Sequence, residues 1–172
     1  METRDVIKNR RSVRKFEERM VEREKIQAVI DAGLCAASGM DAQESVIIAI
    51  TKKALRDTVS KWSAEILGKE TDPFYGAPVI LIVLSDRGAR PTFVEDGSLV
   101  LGNMMLAAYD LGLGSCWIHR AREEFESNKG KALLKELGIS GDYVGVGHLA
   151  LGYPAETPSK KPRKPNRVVW AE

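Results

Sequence analysis

The sequence predicts a layered α/β domain whose central sheet carries helices on both faces, and three observations predict it. Short apolar runs rich in β-branched residues alternate with segments of helical periodicity along the chain. The runs are continuously apolar, as strands buried on both faces are. A length of 172 residues, 44% hydrophobic and 29% charged, suits one globular domain with a sizeable core.

Thr3 is placed to cap a short first helix through Val6 and Ile7, after which residues 9–20, "NRRSVRKFEERM", read as extended or turning chain. Ile26, Val29, Ile30, Gly33, Leu34 and Ala37 then recur at the spacing of one buried helix face, opposite Glu22, Glu24 and Lys25. "SGMDAQES" breaks that helix and leads into the strand "VIIAIT". A more charged helix over 52–67 follows, and two prolines and a glycine in "DPFYGAP" force a loop before the strand "VILIVLS".

Residues 93–111 are apolar on nearly every side and too long for a strand, which predicts a helix buried at the centre of the molecule or in a dimer interface. "GLGSCWI" supplies a turn and a strand, "EEFESNKGKALLKELGI" an amphipathic helix, and "YVGVGHLALGYP" a long strand ended by Pro154. Residues 155–172 mix prolines with Lys160, Lys161, Arg163, Lys164 and Arg167, a composition that builds no core of its own and is expected to lie on a partner subunit.

A net charge of +2 creates no global field that would demand nucleic acid, although basic residues are dense at both chain ends. No apolar stretch approaches the roughly 18 residues of a membrane span, the N-terminus lacks the apolar core of a signal peptide, and a cytoplasmic protein is expected. Cys35 and Cys116 read as reduced core residues.

Gly145, Gly147 and Ala150 match a dinucleotide-binding spacing formally, but they lie within a strand and no helix follows whose N-terminus could hold a pyrophosphate. Cys116 and His119 point to opposite faces of a strand, and two histidines without a carboxylate pattern make no metal site. The arginine-rich segment is more informative. Arg10, Ser12 and Arg14 share a face of extended chain, where guanidinium forks and a hydroxyl suit phosphate oxygens. A solvated basic face, or ion pairs with Glu17, Glu18 and Glu22, would account for the same residues.

Over nearly its whole length the sequence resembles the nitroreductase family of FMN-dependent flavoproteins. "RRSVRKF" is similar to the family's Arg-x-Ser-x-Arg motif and "CAASGMDAQ" to the loop after its second helix. "GAPVILIV", "DGSLVLGNMMLAAYDLGLGSCWI" and "LALGYPAETPSKKPRKP" resemble its alanine-proline strand, its central helix with the following strand, and its closing strand with basic tail, all in the family's order. The resemblance implies a three-layer sandwich with a central mixed sheet, intertwined as a homodimer with FMN at the interface.

It further implies that Arg10, Arg11, Ser12 and Arg14 hold the phosphate and pyrimidine edge, and that Lys161 and Arg163 add cations to the phosphate. Ser38, Asp41 and Gln43 would come from the partner subunit, and Trp117, Ile118, His119 and Arg120 would pack against the ring with backbone N–H groups at its N5 edge. NADH or NADPH would deliver hydride to N5, and a nitroaromatic, quinone or similar acceptor would leave reduced, in a ping-pong cycle needing no side-chain nucleophile. His119 is the one candidate proton donor. Asp41 stands where an amide is usual and Glu44 where proline is common, which makes that wall more acidic. The alternatives are a specialised flavoprotein of the same fold, such as a dehalogenase or a flavin-cleaving enzyme, and a non-enzymatic flavin- or RNA-binding module.

Overall fold

A computed structural model describes residues 1–171. Six helices, α1 (Thr3–Asn9), α2 (Arg23–Leu34), α3 (Lys53–Leu67), α4 (Phe93–Asp110), α5 (Ala121–Glu126) and α6 (Asn128–Glu136), surround four strands, β1 (Ser45–Ile50), β2 (Val79–Asp86), β3 (Gly114–Ile118) and β4 (Tyr143–Gly152). The strands form one sheet in the order β1-β2-β4-β3.

Alternation along β2 sorts the core into two sides. Val79, Leu81 and Val83 pack with Val29 of α2 and Leu101, Met104 and Ala108 of α4. Ile80, Ile82 and Leu84 face the other way, onto Val59 of α3, Phe125 of α5 and Leu133 of α6. All six of these β2 residues are completely buried, each contributing roughly 1.5–3 kcal/mol of burial before entropy is counted. The expected helix–sheet–helix layering therefore holds. Gly97 lets α4 lie close on the sheet: a Cβ there would meet Val146 Cγ2 at 2.6 Å and Ser85 Oγ at 2.7 Å.

The resemblance implies a mixed sheet, whereas all three ladders are antiparallel and the parallel register is an isolated bridge between Ser12 and Ser115. The reason lies between β1 and β2. Helix α3 carries the chain away from the end of β1, and residues 68–78 carry it back, so that Ile50 pairs with Ile80. Gly68, at φ 67°, ends α3 in the left-handed conformation that this reversal needs.

Two further expectations are corrected. The single helix expected over 123–139 breaks at Ser127, whose hydroxyl caps α6 by accepting from Gly130 N at 3.2 Å. Cys35 is exposed, because α2 ends at Leu34, while Cys116 is buried as expected. Helix α4 buries Val100, Leu101, Met104 and Ala108 at the centre of the molecule, while Leu99 on its other side is 50% exposed within the single chain. Among the described residues no helix is long and apolar enough to cross a membrane.

Candidate functional site

The arginine-rich segment runs along the outer edge of the sheet. Val13 N donates to Ser115 O at 3.0 Å, Glu17 N to Tyr153 O at 3.0 Å, and Ala155 N to Lys15 O at 2.8 Å. The segment thus crosses from the β3 edge to the chain leaving β4, and the start of the basic tail lies beside it. Glu156 fixes the crossing by accepting from Arg14 N at 2.5 Å.

Arg10, Ser12 and Arg14 alternate along this extended segment, and all three act on the Cys116 thiol. Burial pushes that thiol up, while Arg14, the Ser12 hydrogen bond and Arg10 pull it back. Arg10 itself is held below the usual guanidinium range, first by burial and then by Arg11, with Arg163 of the tail adding to the repulsion. Arg163, exposed in the tail, is thus near enough for its charge to act on Arg10.

Arg11 Nη1 donates to Lys8 O at 2.9 Å and to Arg10 O at 2.6 Å. Arg10 Nη1 and Arg11 Nη2 are buried and have no partner. A buried, unpaired guanidinium N–H is costly, and an anion with several oxygens is the group that satisfies such donors together. Lys161 is exposed in the tail.

The β3 edge adds backbone donors. Ser115 O points outward to Val13, and alternation along β3 turns the N–H groups of Trp117 and His119 outward as well, beyond the bridged stretch. The Trp117 ring lies over β4 at Gly147, where a Cβ would meet its Nε1 at 2.5 Å. Ile118 is half-buried, His119 is exposed, and Arg120 occupies a turn at φ 89°.

Ser38, Asp41 and Gln43 lie elsewhere, in a loop that packs on the start of α4. Met40, Asp41 and Gln43 all have positive φ, 53°, 55° and 54°, which side chains other than glycine rarely adopt. Hydrogen bonds hold them: Gln43 N to Ser38 Oγ at 3.0 Å, Gln43 Nε2 to Asp41 Oδ1 at 2.9 Å, and Gly39 N to Asp96 Oδ1 at 3.0 Å. Buried Asp96 also accepts from Thr92 Oγ1 at 2.9 Å. The Glu44 carboxyl is raised, mainly by burial and further by Asp96, and both of its oxygens are unpartnered.

This loop leads into β1, the strand edge opposite β3, so three strand spacings, about 14 Å, separate those edges across the sheet. A cavity of about 230 Å³ beside Arg11 and Glu156 and one of about 150 Å³ beside Ser38 and Gln43 are each below the roughly 300–1,000 Å³ of cofactor sites. Two larger cavities, about 630 and 620 Å³, contain none of the expected site residues. Sequence reasoning missed Glu156 at Arg14, and Cys116 as the group on which Arg10, Ser12 and Arg14 converge; only the alternation of the arginine segment hinted at the second. Among the described residues no cluster of side chains has the make-up of a metal site.

Known proteins share this architecture and sequence. The sequence model of the nitroreductase family matches residues 7–153. A protein of Methanothermobacter thermautotrophicus, provisionally named NADH dehydrogenase/NAD(P)H nitroreductase, is 30% identical over 171 residues, which cover 94% of this chain and 82% of that one. The NADPH-flavin oxidoreductase of Vibrio harveyi is 27% identical, with 99% of this chain and 73% of that one covered. A nitroreductase structure from Bacteroides fragilis with bound FMN matches over 100% of both chains, with a TM-score of 0.90 at 26% identity. A second FMN-bound nitroreductase, from Desulfitobacterium hafniense, gives 0.85 at 26% identity, over 100% of this chain and 99% of that one. Extending across nearly the whole sequence and the whole fold, these matches make the chain a member of the nitroreductase family.

Proposed function

We propose that the protein is an FMN-dependent NAD(P)H oxidoreductase that works as a homodimer with FMN at the subunit interface. The observation that carries this is the pair of buried guanidinium nitrogens without a partner, Arg10 Nη1 and Arg11 Nη2, with Ser12 beside them and Arg163 of the tail acting on Arg10. Their donors suit the terminal phosphate of the nucleotide.

Bound here, FMN would supply the redox chemistry, hydride uptake from NAD(P)H at N5 and delivery of reducing equivalents to a nitroaromatic, quinone or similar acceptor. The residues of this chain bind and orient. Arg10, Arg11, Ser12 and Arg163 hold the phosphate, with Lys161 beside them in the tail. Arg14 offers positive charge where the reduced ring carries negative charge. The outward N–H groups of Trp117 and His119, flanked by Ile118 and Arg120, would be the donors offered to the reacting edge of the flavin. His119 contributes through its backbone, with its exposed imidazole able to carry a proton to the acceptor. The two substrates use one open face in turn, which makes the kinetics ping-pong.

The partner subunit supplies the second wall, through Ser38, Asp41 and Gln43. Two features support a dimer. Each half-cavity is too small alone, and Leu99, Leu34, Val168, Val169 and Trp170 are 50%, 53%, 71%, 91% and 81% exposed, an amount of apolar surface that a second copy would cover. In one domain with an appended tail, residues 155–172 would wrap that copy.

Anaerobic addition of NADH or NADPH to protein reconstituted with FMN tests the activity. The flavin absorbance is expected to bleach and to return on adding a nitroaromatic or quinone. Protein that binds no FMN, or whose flavin NAD(P)H leaves oxidised, overturns the proposal.

A further inference from the structure

One buried polar pair has no role in the scheme above. His148, in the middle of β4, is 0% exposed, and Glu124 of α5 is 1% exposed. His148 Nε2 lies 2.7 Å from Glu124 Oε2, and Nδ1 lies 3.4 Å from Ile118 O. The surroundings are otherwise apolar: the Phe74 ring meets the imidazole edge-on at 5.1 Å, and Ile82, Leu84 and Phe125 share that side of the sheet. Apolar residues of the same size would fill this space at least as favourably, so packing alone does not explain an ionisable pair there.

The two groups that His148 reaches flank one turn. Ile118 ends β3 and Glu124 lies in the first turns of α5, and between them Arg120 holds φ 89°. A non-glycine residue in that region persists where its surroundings over-determine it. Glu124 N also donates to Arg120 O at 3.0 Å, and β4 approaches so closely that a Cβ at Gly145 would meet Ala121 O at 2.2 Å. The imidazole, with one nitrogen toward each flank, closes the span from 118 to 124. A trans peptide points its C=O and N–H in opposite directions. With Ile118 O turned toward His148, the His119 N–H is directed to the free edge of β3.

We propose, resting on the flavin reading above, that His148 and Glu124 are positioning residues that staple this turn and fix how the β3 edge is presented to the flavin. The doubly substituted protein His148→Phe with Glu124→Met keeps a ring against Phe74 and removes both polar groups. It is expected to melt within a few degrees of the wild type, to bind FMN about tenfold or more weakly, and to shift the flavin midpoint potential. A folded double variant with wild-type FMN affinity and potential overturns the proposal.

A second pair of variants covers loss of folding in the first. Glu124→Gln keeps an oxygen acceptor for Nε2 and is expected to retain the wild-type potential, whereas Glu124→Leu is expected to lose it; equal potentials overturn the proposal. Amide exchange at Glu124 and Ser127, whose N–H groups donate to Arg120 O and Glu124 O, separates the two readings in the flavin-free protein. If the wild type binds no FMN, the flavin reading falls. The staple then stands or falls on whether exchange at these two amides, with β1 as internal control, accelerates about tenfold in Glu124→Leu over Glu124→Gln.

Discussion

The arginine segment and the 38–43 loop differ in how their polar groups are satisfied. The loop carries three residues at positive φ, yet Ser38, Asp41, Gln43 and Asp96 supply hydrogen bonds from within the chain. The arginine segment has ordinary extended backbone pinned to β3, yet it buries guanidinium N–H groups with no partner. A strained but satisfied loop is a wall that stands before any ligand arrives. An unstrained segment with orphaned donors is a socket that its ligand completes, and the two regions should respond differently to substitution.

The largest effect is expected at the socket. Arg10→Ala combined with Arg163→Ala removes two charge-assisted contacts worth about 1.5–3 kcal/mol each, so FMN affinity should fall by roughly 10² to 10⁴, with little change in the melting temperature of the flavin-free protein. At the wall the order reverses. Asp96→Ala leaves Gly39 N and Thr92 without their acceptor and should lower stability by about 1–3 kcal/mol in chemical denaturation, with a smaller effect on phosphate recognition.

Glu44→Gln sharpens the comparison through pH. A carboxyl raised above its unfolded value favours the fold below the ordinary carboxylate pKa, and that contribution is lost as pH rises through the folded value. Thermal melts should therefore show the glutamine variant more stable than the wild type at pH 7 and the gain vanishing in acid. Tyr153→Phe should do less. Glu22 is exposed and is lowered to about 2 first by the Tyr153 hydroxyl and also by Arg19, so its small contribution is present above the ordinary carboxylate range and lost as pH falls toward 2: the phenylalanine variant should melt slightly below the wild type at pH 7 and converge with it in acid. His119→Ala, which keeps the backbone N–H, should change kcat least of all.

What was legible in the sequence follows the range of the interactions involved. The apolar runs of β1, β2 and β4 and the long apolar α4 are local patterns, and each appears within a few residues of its expected bounds. The antiparallel pairing of β1 with β2 was not legible, because it depends on where residues 68–78 return the chain. Nor was the break at Ser127, which one hydroxyl decides within a continuous amphipathic pattern.

At the candidate site, alternation alone put Arg10, Ser12 and Arg14 on one face, whereas the approach of Arg163 to Arg10 was implied only by family resemblance. Glu156 at Arg14 N and Glu124 at His148 were hidden, since each pair joins residues far apart in sequence on elements whose packing no periodicity specifies.

Calorimetric titration of the flavin-free protein with FMN and with riboflavin, which lacks the phosphate, tests the socket most directly. If Arg10, Arg11, Ser12 and Arg163 hold the phosphate, FMN should bind about 100-fold or more tightly than riboflavin, and the ratio should collapse in the Arg10→Ala/Arg163→Ala protein. Equal affinity for the two flavins would contradict the account.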